Sequence, residues 1–205
     1  RFNSYVGLAA AGMLLGDEGI SLIAVAVAIK VPLLNLLCIV MFSLTCRKGA
    51  LRLKPLVRAI VTNPLIIGSV VGVIWSFFRI GFHPVVAGIL EPLSDLALPL
   101  GLMCVGAGLQ LKALRSASMP FLVSSVAKLV IFPVLTLGLA MALGMDGRLV
   151  QVAILLAALP TATSSYILAR QLGGDAPLMA AIISGQTLLA MITLPLLLGV
   201  LWQAA

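Results

Sequence analysis

Charge is what this sequence has least of. Only 9% of its 205 residues are Asp, Glu, Lys or Arg, against about a quarter in soluble domains. That excludes a soluble globular domain, and 62% hydrophobic residues make the chain a polytopic membrane protein. Aromatic residues are sparse as well, with two Trp and two Tyr, so no basic-aromatic surface exists to bind nucleic acid. The formal net charge of +7 has another origin, because most basic residues fall in short gaps between apolar stretches, the positive-inside signal. The single histidine, His83, lies beside Pro84 in a loop. No His-Glu-x-x-His metal pattern and no Gly-x-Ser-x-Gly elbow is present, which argues against an enzyme. Gly173-Gly174-Asp175 has the wrong spacing and setting for an intramembrane aspartyl protease. The three cysteines, Cys38, Cys46 and Cys104, lie within or at the ends of apolar segments without metal-ligand spacing; they read as small buried hydrophobes. No metal and no cofactor is implied.

What is present is a succession of apolar segments. A spanning helix needs about 20 apolar residues. On that basis the chain contains a partial segment over 1–16 and full ones near 20–45, 59–78, 85–111, 120–144, 150–172 and 178–202. Breakers separate them: Gly16-Asp17-Glu18-Gly19, Gly81-Phe82-His83-Pro84, Gly144 to Gly147, and Gly173-Gly174-Asp175-Ala176-Pro177. The chain starts at Arg1 with no charged leader or cleavage site, so a fragment lacking its N-terminal part is expected.

Charge sets the orientation. The gap between Cys46 and Ala59 carries Arg47, Lys48, Arg52, Lys54 and Arg58 and no acid, and is assigned to the cytoplasm. Alternation then puts Lys112, Arg115 and Arg170 on the same side, and only Arg79 and Arg148 outside with Asp17, Glu18 and Asp146. Eight basic residues inside against two outside satisfy the rule and predict an outside C-terminus.

One segment departs from the apolar pattern. Pro160-Thr161-Ala162-Thr163-Ser164-Ser165-Tyr166 places a proline and four hydroxyl residues between apolar flanks. Broken backbone at membrane depth is tolerated only where protein buries it or a watery cavity meets it, and secondary transporters build midplane sites from such helices. An echo occurs earlier: Asn3-Ser4-Tyr5 precedes Gly16-Asp17 as Ser164-Ser165-Tyr166 precedes Gly174-Asp175. The two segments run in opposite directions in the topology above, as in an inverted repeat.

These features resemble one family. Arg1 to Leu8 followed by Gly16 to Gly19, Asn63-Pro64-Leu65-Ile66, Ala97 to Leu102 followed by Val105-Gly106 to Leu109, Lys128 to Pro133, Pro160 to Tyr166 with Leu168 to Gln171, and Thr187 to Pro195 occur in order. They resemble helices four and six to ten of the auxin efflux carrier family of permeases, in its bacterial form. The resemblance implies an all-α inverted-repeat transporter bundle with broken crossover helices, a sodium/bile-acid symporter-like architecture. Residues 1–45 would be the last two helices of an incomplete first five-helix repeat, 46–58 a basic cytoplasmic linker, and 59–205 the complete second repeat. About three helices, on the order of 100 residues, would be missing. Family members often carry a proline in the crossover of helix four where this chain has Ala9, so the first break is expected as a softer unwinding around Gly7. The second is expected near Ser165 and Tyr166.

Candidate binding residues follow. Asn3, with Ser4, faces the central site in the resemblance, where its amide would donate to a carboxylate; a helix–helix hydrogen bond is the alternative. Pro160, Thr161, Thr163, Ser164, Ser165 and Tyr166 would offer backbone N–H groups, hydroxyls and a half-helix N-terminus to an anion, or else bond back to their own helix. Lys128 lies about 12 Å from the cytoplasmic edge of its segment and would supply positive charge, unless it snorkels to the interface. Lys30 is a similar case, with Pro32 and Asn35 after it. Gln186 and Thr187 would line the cavity. Glu91 and Asp95 share a helix face and read as a wet outer vestibule or a proton-coupling pair. The expected activity is a permease moving a small organic anion, a mono- or dicarboxylate, across the bacterial cytoplasmic membrane by alternating access. The lipid bilayer is its surroundings, a proton is an open choice of coupling ion, and a homodimer is compatible with the family. The competing reading is a non-transporting sensor or assembly module, or an inactive remnant.

Overall fold

The computed structural model describes residues 1–45, 61, 64–116 and 119–201. The basic run of 46–58 and its linker role lie outside the described residues, as does most of 59–63. The described residues are all-α, without a strand, in the order α1 (Ser4–Thr45), α2 (Pro64–Phe77), α3 (Pro84–Ala107), a 3-10 turn (Leu111–Ser116), α4 (Met119–Val126), a π turn (Ala127–Ile131), α5 (Phe132–Ala142), α6 (Gly147–Ala158), α7 (Ser164–Leu172) and α8 (Ala176–Leu201). Among the described residues, four stretches are long and apolar enough to cross a membrane: Ser4–Cys38, Pro84–Ala107, Met119–Ala142 and Ala176–Val200.

The expected break at Gly16 to Gly19 is present as a kink: α1 is two helices joined at Gly16, whose φ 64°, ψ −154° is non-helical. That positive φ suits glycine, which has no Cβ to clash. Two other expectations are corrected. Gly7 is helical rather than unwound, and the irregular backbone ahead of it is residues 1–3. The segment over 150–172 is two half-helices, and the gap between them is 159–163, so Ser165 and Tyr166 lie inside α7.

The chain divides into two compact units. The first comprises Arg1 and Ala24–Ala97, hence the second half of α1, α2 and the start of α3. Its apolar side chains, among them Ile67, Val70, Ile74, Val85 and Ile89, are exposed, as expected of helices that face lipid or other protein. Trp75 stacks on Phe82 at 5.3 Å where α2 turns towards α3.

The second unit comprises Phe2–Ile23 and Leu98–Ala205. At its centre lies α6, in which Val150, Val152 and Ile154 to Ala158 are all buried. A helix apolar all round is a core helix. It packs on α5 and α8, and α8 also packs against the 3-10 turn, α4 and α7. The outer helices α4 and α5 show Leu122, Val123, Leu135 and Leu139 to the surroundings. Within a membrane such packing depends on small residues and polar contacts. Gly185 accordingly lies against the Phe121 ring.

Between α4 and α5 the helix widens into a π turn, in which the Phe132 N–H donates to the Ala127 carbonyl five residues back. Pro133 explains it. A proline has no N–H for the carbonyl four residues back, and its ring crowds that carbonyl; a local π adjustment relieves both. Lys128 sits inside this turn.

Candidate functional site: a broken helix held from three sides

The site begins with Pro160. A residue before proline is pushed from helical to extended backbone, and Leu159 adopts φ −63°, ψ 141°. Helix α6 therefore ends at Ala158 and α7 begins at Ser164, leaving five residues non-helical. Helix ends leave orphan carbonyls on one side and orphan N–H groups on the other, here at membrane depth.

Three residues foreseen from the sequence come to this break from three elements, two by side chain and one by backbone. The Lys128 ammonium donates to the Ala157 carbonyl at 2.6 Å, and lies 4.9 Å from the Phe132 ring centroid, a cation–π distance. Gln186, on α8, accepts with Oε1 from both the N–H of Thr161 at 3.2 Å and its hydroxyl at 2.8 Å. Asn3 gives its backbone N–H to the Pro160 carbonyl at 2.9 Å. Close by, a Cβ added at Gly7 would meet Leu159 Cδ1 at 2.7 Å. The start of α1 and the break in the second segment are thus in direct contact.

Asn3 has a second task. Its Oδ1 accepts from the Val6 N–H at 3.3 Å, the geometry of an N-cap. That bond fixes the amide orientation, since the reverse would set NH₂ against N–H. It leaves Nδ2 buried without a partner, in a residue only 2% exposed. Ser165 Oγ, in a residue 7% exposed, is likewise buried and unpartnered, as is Ser125 Oγ on α4.

The other candidates are placed differently. The N–H groups of Ser165 and Tyr166 close turns onto the carbonyls of Ala162 and Thr163 at 3.0 Å each. Thr163 precedes α7 without a side-chain cap. Ser4 and Ser164 stand half-buried in first turns. The Tyr166 ring faces Arg170 at 6.0 Å, one turn along α7. Thr187 bonds back to the Ile183 carbonyl at 2.7 Å, the local alternative. Glu91 and Asp95 are both exposed. Sequence reasoning passed over Ser184, whose Oγ accepts from the Gln110 N–H at 2.8 Å and secures the end of α3. Its signal was weak: a lone serine two residues before Gln186 in an apolar run. Among the described residues no group of three or more His, Cys, Asp and Glu could hold a metal ion.

Residues 50–198 match the family described as "Membrane transport protein", the auxin efflux carriers. This chain belongs to that family. A carrier relative from Rhizobium meliloti (strain 1021), named "Putative malonate transporter", is 31% identical over 206 aligned residues. The alignment covers 91% of this chain and 63% of the relative, so the chain spans a little under two thirds of that carrier's length. The family places the chain among multi-pass membrane transporters and supports a transporter rather than an enzyme.

Proposed function

We propose that the full-length protein is a secondary permease that moves a small carboxylate, of which malonate is the leading candidate, by alternating access across the bacterial cytoplasmic membrane. The carrying observation is the buried, unpartnered amide nitrogen of Asn3, at a point where its own backbone joins the break at Pro160. A buried donor without a partner costs about 1–3 kcal/mol, which a bound carboxylate would recover. Ser165 Oγ adds a second buried group able to donate, at the positive end of a half-helix. The substrate class is supported by the name of the relative and by the donors themselves. In this reading residues 1–45 and 59–205 belong to inverted repeats, the C-terminus is outside, and Thr161 with Gln186 shapes the site without needing to touch the anion.

The test is equilibrium binding of malonate, malate and indole-3-acetate to purified full-length protein, with Asn3→Ala and Ser165→Ala beside it. Saturable binding of one anion, lost in both variants, is the expected result. Folded protein that binds none of the three would overturn the small-carboxylate reading.

A further inference from the structure

The end of α6 carries an unusual partner. Its last carbonyls are the negative pole of a half-helix, and Ala157 is only 1% exposed. In transporters with broken helices such carbonyls, with unwound backbone, are where a coupling Na⁺ is coordinated. Here the Ala157 carbonyl takes the Lys128 ammonium at 2.6 Å. The π turn forced by Pro133 holds Lys128 in place, and the Phe132 ring lies against the same ammonium. All six Asp and Glu side chains of the chain are exposed.

We infer that Lys128 is a tethered cation. Its ammonium occupies the half-helix terminus that a soluble coupling ion would otherwise serve, so it positions the break and makes transport indifferent to Na⁺. The inference rests on the permease reading for its transport consequence but not for its local chemistry. Lys128 is on this account a positioning residue. It acts on the substrate through residues 157–163, and its charge is directed to a backbone carbonyl rather than to the anion.

The experiment uses full-length protein in membrane vesicles and in detergent. Wild-type uptake of malonate should stay within about twofold when Na⁺ is replaced by N-methyl-D-glucamine. Lys128→Ala should lose about tenfold or more in uptake together with thermal stability. Both should be partly restored by n-propylammonium, which replaces the side chain beyond Cβ, and by no neutral alcohol of equal length. Lys128→Arg should keep most activity. Lys128→Gln, a donor without charge, should not. Wild-type uptake that stops without Na⁺ would overturn the inference. So would Lys128→Gln behaving as wild type, or a Lys128→Ala protein that keeps its stability and loses affinity only for dianions, since that would put the ammonium on the substrate. The stability readout needs no substrate. Wild-type protein that takes up none of malonate, malate and indole-3-acetate, while propylammonium still restores the stability of Lys128→Ala, would sink the small-carboxylate permease reading and sustain the tethered cation.

Discussion

Asn3 offers a separation of two roles within one side chain. Its Oδ1 caps α1 through Val6, while its Nδ2 is buried without a partner. Asn3→Ala removes both and should cost about 0.5–2 kcal/mol in stability through the lost cap. Asn3→Ser keeps an oxygen at the cap, where serine and asparagine rank alike, and deletes only the amide donor. A hydrogen bond to a charged group contributes about 1.5–3 kcal/mol, and each 1.4 kcal/mol is tenfold in affinity. Asn3→Ser should therefore weaken malonate binding about ten- to a hundredfold while its melting temperature stays near wild type. Asn3→Asp should be at least as weak, because it keeps the cap oxygen but sets an acceptor against an anion. Isothermal titration and a melting curve on each variant decide the matter. Asn3→Ser that binds within about twofold of wild type would refute the donor role and leave Asn3 as a cap alone.

Other expectations concern the same break. Gln186→Met strands the N–H and hydroxyl of Thr161 and should destabilise by about 1–3 kcal/mol, whereas Thr161→Val removes only the hydroxyl bond and should cost about 0.5–1.5 kcal/mol; thermal unfolding in detergent ranks the pair, and equal costs would count against the backbone bond. Gly7→Ala pushes Leu159 Cδ1 from a 2.7 Å contact, and overpacking costs about 1–3 kcal/mol. In a double-mutant cycle with Leu159→Ala the two losses should fall short of their sum by about 0.5 kcal/mol or more, and strict additivity would show that the segments do not press on each other. Glu18→Ala breaks a 3.5 Å pair with Arg148 whose side chains are 62% and 55% exposed; its effect on the melting curve should be within about 0.5 kcal/mol, and a larger loss would mean the pair is shielded from solvent.

The spans and the existence of the break were legible because both are local. Apolar length marks a membrane segment, and a proline disfavours helical backbone at the residue before it, a bias that takes effect at Leu159 although Pro32 and Pro195 are accommodated inside helices. The run from Pro160 marks the break itself, while the resemblance sets the crossover too far along, near Ser165 and Tyr166, where Ser164 and Ser165 in fact begin a new helix. Gly7 was read as a soft spot. Its actual use is close approach, a tertiary fact that depends on Leu159, more than 150 positions away. Gln186 and Lys128 were picked out as polar residues in apolar runs, and both reach the break. Their partners, a threonine and a backbone carbonyl, could not be named from a single sequence. The π turn was implicit in Pro133, since a proline inside a span must be relieved somewhere upstream.

The break also sorts charge. At its first end α6 presents carbonyls, the negative pole, and a lysine ammonium meets the carbonyl of Ala157. In its middle, Pro160 and Thr161 are bound by Asn3 and Gln186, so the irregular backbone is tied to two helices rather than left to move alone. At its second end α7 presents N–H groups, the positive pole, and the buried groups still without partners include Ser165 Oγ in its first turn and the Asn3 amide. The Asn3 Nδ2 can only donate and the Ser165 hydroxyl can donate as well as accept, so both can serve an anion. On the proposed reading, recognition would rest on neutral donors and a half-helix pole, while the Lys128 ammonium meets the opposite pole at the Ala157 carbonyl. Reversing that arrangement, with Ser165→Asp at the positive end, should abolish anion binding outright even though aspartate is a good residue near a helix N-terminus. Malonate binding that survived Ser165→Asp in a folded protein would mean that the anion is held elsewhere.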